Sequence, residues 1–261
     1  MASPTVRAYS TPNNNTDAAP AFTVNAPAGA TTGDLLLAFA SGDTTTTAWT
    51  ASPANGWTRL SNELQGTTNQ LAVYAKVATG TDTLSIAATN AQDYSVVMVA
   101  ITTGTHGVSA VSTDIVIPAA ATASTGNADP PNSGTVASKD WLAIAACGLD
   151  FTATGDSVSA YPSTYSAGVL TKSASSTTSC GLGVGHKALT AATSENPGTF
   201  TNTSRPWVAK TLLIPPVTSA TVTATSIAAT TSVAAVSPTI SVPPITFGIR
   251  LGQAVQRASV Y

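Results

Sequence analysis

Side chains able to do chemistry are sparse in this chain of 261 residues. It has two histidines, His106 and His186, and two cysteines, Cys147 and Cys180. Nucleophilic catalysis needs a nucleophile, a base within hydrogen-bond reach and a group that orients the base. His106 sits in Thr105-His106-Gly107, which reads as a turn, and His186 lies in a β-like run beside Lys187. The chain contains no Gly-x-Ser-x-Gly elbow and no His-Glu-x-x-His helix. In a sequence this rich in serine, a Ser that meets a His carries no information. No catalytic residue is assigned, and the chain is expected not to be an enzyme.

Metal chemistry fares little better. Cys180 and His186 are six apart, but no second pair supports them. Asp43, Asp150 and Asp156 flank Thr-rich loops, where a surface Ca²⁺ would find carboxylates and carbonyls. No spaced Asp-x-Asp-x-Asp-Gly run backs that reading, and no pair of carboxylates stands out as a glycosidase pair. Gly181-Leu182-Gly183-Val184-Gly185 has the glycine density of a nucleotide loop. No helix signal follows it, so it reads as a strand whose glycines admit close backbone approach. No metal and no cofactor is assigned. Two cysteines make no disulfide framework. Two buried thiols is the favoured reading, with one disulfide between neighbouring strands as the alternative.

The tryptophans divide. Trp141 and Trp207 open apolar runs and read as core. Trp49 and Trp57 fall among Thr, Asn and Pro in loop-like stretches. They are the candidates for stacking on a glycan, against the alternative that they pack over the end of a sandwich.

The elements around these residues are strands. Leu35–Ala40, Leu71–Val77, Thr83–Ala87 and Tyr94–Ile101 are short apolar or alternating runs bounded by Gly, Asn, Asp, Pro or Thr. No stretch keeps a helical period for long. Asp140–Ala145 mirrors Asp34–Phe39, Leu182–Lys187 mirrors Leu71–Lys76, and Trp207–Ile214 mirrors Tyr94–Ile101. The offsets grow slowly, as small loop insertions would make them. An internal duplication over about 33–104 and 139–216 is expected. Its two halves face each other in an all-β, antiparallel, jelly-roll-like sandwich spanning 1–216. Residues 105–138 then form a crossover, with a strand-like run at Asp114–Ile117.

After Pro216 the composition changes. Residues 217–244 are nearly all Thr, Ser, Ala, Val and Pro, an extended arm with no charge and no aromatic. In 245–261, Ile245, Phe247, Ile249 and Leu251 alternate with Thr246, Gly248 and Arg250, which is a strand signal. An arm tipped by a strand is suited to joining another subunit's sheet edge.

Charged residues make up 8 % of the chain, against about 25 % in ordinary soluble domains. Net charge is −2. A nucleic-acid partner is not expected without a basic stripe. Apolar runs such as Leu35–Ala40 are far too short to insert in a membrane. The first residues lack the apolar stretch of a secretory signal. A neutral surface gives little colloidal repulsion and suits a protein held in an assembly.

Three stretches of the first half carry a resemblance: Thr32–Phe39, Pro53–Leu60 and Val73–Ala78. Pro197–Thr201 and Arg205–Ala209 add to it. Together they resemble a module of virion structural proteins in tailed bacteriophages that infect actinobacteria. The likeness spans about residues 5–216. It implies a β-sandwich on the particle, assembled in the host cytoplasm, where the thiols would stay reduced. A minor tail or fibre-like component is the leading expectation. A capsid decoration protein and a carbohydrate-binding host adhesin are the alternatives. Other virion proteins, met through 217–261, and further copies of the chain are the expected partners, with a host-surface glycan as an added one for the adhesin.

Overall fold

The computed structural model describes residues 2–15, 21–43, 49, 55–80, 82–87, 93–174 and 177–218. Beyond Val217 and Thr218, the expected arm and terminal strand, with Ile245, Phe247, Ile249 and Leu251, lie outside the described residues. The first half forms β1 (Val6–Tyr9), β2 (Asn13–Asn15), β3 (Ala21–Asn25), β4 (Leu35–Asp43), β5 (Thr58–Gln65), β6 (Asn69–Val77), β7 (Thr83–Ala87) and β8 (Tyr94–Ile101). A crossover holds the short helix α1 (Val111–Asp114) and β9 (Ala121–Ala123). The second half forms β10 (Leu142–Phe151), β11 (Val158–Ala160), β12 (Ser166–Lys172), β13 (Ser179–Ala188), β14 (Thr201–Asn202) and β15 (Trp207–Ile214).

Two antiparallel sheets make the sandwich. Sheet 1 runs β1-β8-β4-β6-β5, with β2 also on β8, and sheet 2 runs β9-β15-β10-β13-β12. The two orders match strand for strand. β4 and β10 are the central strands, flanked by β8 and β6 in one sheet and by β15 and β13 in the other. Across the interface β4 packs on β10 and β13, β6 on β10 and β15, and β8 on β13. β6 and β8 therefore face each other's counterparts, β15 and β13, and β4 faces its own counterpart, β10. That is the pattern of a pseudo-two-fold axis between β4 and β10, the isologous arrangement of a symmetric dimer. Each sheet comes from one half of the chain.

Three apolar layers hold the molecule. The middle one lies between the sheets and joins Leu35, Leu37 and Phe39 of β4 to Leu142 and Ile144 of β10 and Leu212 and Ile214 of β15. A second covers the outer face of sheet 1, where Leu36, Ala38, Tyr74 and Met98 meet Phe22, Val24, Leu84 and Ile86 of the β3–β7 ribbon. A third covers sheet 2, with Ala143, Cys147, Leu149 and Phe151 under Phe200, Val158 and Tyr165. Burying one such large apolar side chain stabilises by about 1.5–3 kcal/mol.

These layers explain the sequence pattern. β4, β6, β8, β10 and β15 are covered on both faces, so they read as continuous apolar runs. The outer ribbon is covered on one face, so β3 and β7 alternate strictly. The run Asp114–Ile117 departs from expectation. Asp114 accepts from the Ser109 and Ala110 amides at 2.8 Å and closes the α1 turn. Only Val116 is bridged to a strand, exchanging backbone bonds with Leu213.

Candidate functional site

Both histidines are tied into the fold. Nδ1 of His106 accepts from the Val108 amide at 3.3 Å, so Nε2 donates to the Gly33 carbonyl at 3.1 Å. His186, on β13, stacks on Tyr9 of β1 with ring centroids 5.9 Å apart. The Tyr9 hydroxyl and its Nδ1 share a hydrogen bond of 2.9 Å, and the ring also bonds the Ala167 backbone. Burial pushes both imidazoles below their usual pKa.

The charged side chains act as ties. Arg7 holds Asp34 at 2.7 Å, and Asp34 also accepts from the Thr31 and Thr103 amides at 2.9 and 2.8 Å. Arg205 holds Asp156 at 2.8 Å, and Asp156 accepts from the Thr152 and Ala153 amides. Burial alone would raise the Asp34 and Asp156 carboxyls, but these partners keep both below the ordinary carboxylate range. The pseudo-two-fold repeats one tie. Lys76 at the end of β6 pairs with Asp82, and Lys187 at the end of β13 pairs with Glu195 at 3.2 Å. Lys210 crosses the interface from β15 to Glu63 of β5 at 3.1 Å and also reaches the Pro118 carbonyl.

Of the acids weighed as Ca²⁺ ligands, Asp156 is committed to Arg205, and burial pushes the Asp150 carboxyl above the ordinary range. Among the described residues no three His, Cys, Asp or Glu side chains are grouped to hold a metal ion. The glycine run lies in β13, between β10 and β12. A Cβ at Gly183 would stand 2.9 Å from both Phe200 and Cys147, and one at Gly181 would overlap the Phe151 ring. Its glycines make room for aromatic rings, not for phosphates.

Trp49 and Trp57 are corrected as glycan-stacking residues. They are 2 % and 6 % exposed. Trp49 packs edge-on to Phe22 at 5.0 Å, and Trp57 donates its indole N–H to the Thr83 carbonyl at 3.0 Å. Both serve the core beneath the β3–β7 ribbon, and neither offers a ring face to a sugar. The disulfide alternative falls too. Cys147 faces the outer core of sheet 2, while Cys180 faces the sheet interface, its Sγ 3.4 Å from the Ser41 carbonyl. Both are free, and they sit on opposite faces.

The sheet interface is graded. At one end it is apolar. At the other it holds Ser41, Asn69, Ser95 and Cys180, all fully buried. Asn69 Nδ2 crosses to the Gly148 carbonyl at 2.7 Å. Gly148 is required there, since a Cβ would stand 2.7 Å from Ser41 Oγ.

What faces outward is plain. Among the described residues, Leu64 and Val217 are the large exposed apolar side chains, at 39 % and 44 %. Among the described residues the sheets end on β1 and β5 and on β9 and β12, each paired on one side only, and β5 and β12 are the longer of these edges. Sequence reasoning missed these edges and the ties between the sheets. Lys210, alone in the apolar run Trp207–Ile214, was the legible signal for one of them.

No family model, no curated protein and no solved structure matches this chain.

Proposed function

We propose that this protein is a structural component of a bacteriophage virion, a minor tail or fibre-like subunit that docks through residues 217–261 and displays the duplicated sandwich. The observation that carries the reading is how the ionic groups are used. Arg7, Lys76, Lys187, Arg205 and Lys210 are each spent on an internal ion pair. The outer ribbon face shows Thr23, Asn25, Thr83 and Ser85, hydroxyl and amide groups bonded to one another. Such a body is a rigid, neutral spacer built to persist rather than to turn over substrate. The module-level resemblance supplies the particle, and the arm supplies the attachment.

Quantitative mass spectrometry of purified particles tests this. A few copies per particle are expected. Hundreds would assign the chain to capsid decoration instead, and its absence from washed particles would refute a structural role. The adhesin reading has lost its stacking residues, because Trp49 and Trp57 are buried.

A further inference from the structure

The two longer edges, β5 and β12, differ in protection. A strand paired on one side leaves half its amides and carbonyls pointing outward, a template for another chain. β5 carries Arg59 and Glu63 and is broken by a bulge between Arg59 and Ser61. Short elements pack near both edges, α1 and β9 near β5 and β11 near β12, and Thr171 of β12 accepts from Asn14 Nδ2 of β2 at 2.8 Å. Charge and bulges are the usual guards of an edge. β12 has its bulge at the start, between Ser166 and Gly168, where Ala167 takes φ 35. From Gly168 to Thr171 it reads Gly-Val-Leu-Thr, with no charge. Lys172 closes the strand and turns its ammonium to the Thr154 and Asp156 carbonyls. Val169 packs on the inter-sheet core and Leu170 on the outer core, and both stay half-buried. β12 is an uncharged, partly apolar edge next to two cores that a further strand would extend.

The sequence offers a segment to fit it. Ile245–Leu251 has seven residues, as does β12. Its alternation would place Ile245, Phe247, Ile249 and Leu251 on one face. Residues 219–244 carry no charge and, extended, span roughly 85 Å, enough to reach a neighbouring copy. Net charge favours the arm meeting the body, though it does not select this edge. All 12 carboxylates precede residue 219, while the chain beyond it holds Arg250 and Arg257 and no acid.

We infer that the β12 edge accepts the 245–251 strand of a second copy of this chain, which adds to sheet 2. Main-chain hydrogen bonds would supply the affinity, and the alternating apolar side chains the register. This inference rests on the proposed assembly role and names the partner for its arm.

The test uses the full chain and sedimentation velocity over a range of concentrations. The unaltered chain is expected to associate. Thr171→Lys, which puts a charge on the acceptor edge, is expected to sediment as a monomer. So is Phe247→Asp with Ile249→Asp, which spoils the donor strand. Ser85→Lys, on the exposed face of β7 away from this edge, is expected to associate like the unaltered chain. Mixing the two monomeric variants is expected to restore a two-chain species, because one brings an intact edge and the other an intact strand. A monomeric unaltered chain, variants that associate as it does, or a mixture without the two-chain species would each overturn the inference. If such a mixture fails while particle incorporation still requires 219–261, the acceptor is another virion protein and the assembly reading stands. If incorporation ignores 219–261, the assembly reading itself falls.

Discussion

The hydroxyl of Tyr9 on β1 lies 2.9 Å from Nδ1 of His186 on β13, and this bond pins the edge of sheet 1 to sheet 2. Either partner can donate in it, so this bond does not fix the charge of His186. His106 must be neutral to accept from Val108 at Nδ1.

That requirement sets a pH dependence. Burial lowers both folded pKa values below the ordinary 6.5. The unfolded chain therefore binds protons first, and stability falls as pH drops from 6.5 toward the folded values. Above 6.5 the contribution is complete. Asp34, Asp82 and Asp156 are lowered carboxylates and lose their contribution only at more acidic pH, while the raised Asp150 opposes the trend. Melting temperatures from about pH 7.5 to about pH 5 should decline in the unaltered protein. The decline should be shallower in a His106→Gln, His186→Gln double variant, and equal slopes would contradict the account.

The glycines of β13 should tolerate no side chain. Gly181→Ala forces a methyl against the Phe151 ring and Gly183→Ala forces one against Phe200. Each should destabilise by about 1–3 kcal/mol in chemical denaturation. Gly155→Ala, which meets nothing within 4 Å, should be neutral.

Trp49 is among the largest fully buried side chains. Trp49→Ala should cost about 3–5 kcal/mol. Any loss of binding to host cells should then track the loss of folded protein. A variant that keeps full stability but loses binding would restore the tryptophan to a recognition role.

The thiols should be silent. Cys180 is pushed up to about 12 by burial, and Cys147 is raised by the same cause. Ellman's reagent should find no reactive thiol in the native protein and two after unfolding, with or without reductant. A single bridged pair would contradict their placement on opposite faces of sheet 2.

Much of the fold was legible in the sequence because its strands are buried on both faces and bounded by turn residues. Leu35–Ala40 and Trp207–Ile214 stand out for that reason, and their matched order made the repeat visible. The strict alternation of Thr83–Ala87 marked the outer ribbon. The rest depended on long-range geometry. The Pro- and Asn-flanked setting of Trp49 and Trp57 reads as loop, yet the β3–β7 ribbon folds over both rings. Nothing local tells that His186 will meet Tyr9, 177 residues away in sequence. Nor does spacing show that Asp156 is held by Arg205 and so closed to a metal. The candidate site fared worst. Of its residues, the tryptophans proved to be core, and Ile245, Phe247, Ile249 and Leu251 lie outside the described residues.

The central claim is that a particle displays the compact body, residues 1–220 by its internal packing, and holds the chain through its C-terminal residues. The most direct measurement compares particles assembled with the full chain and with a chain ending at Thr218. The account predicts that the shortened chain stays soluble, keeps the β-rich spectrum and melting transition of the body, and is missing from purified particles. Incorporation of the shortened chain at the level of the full one would contradict it.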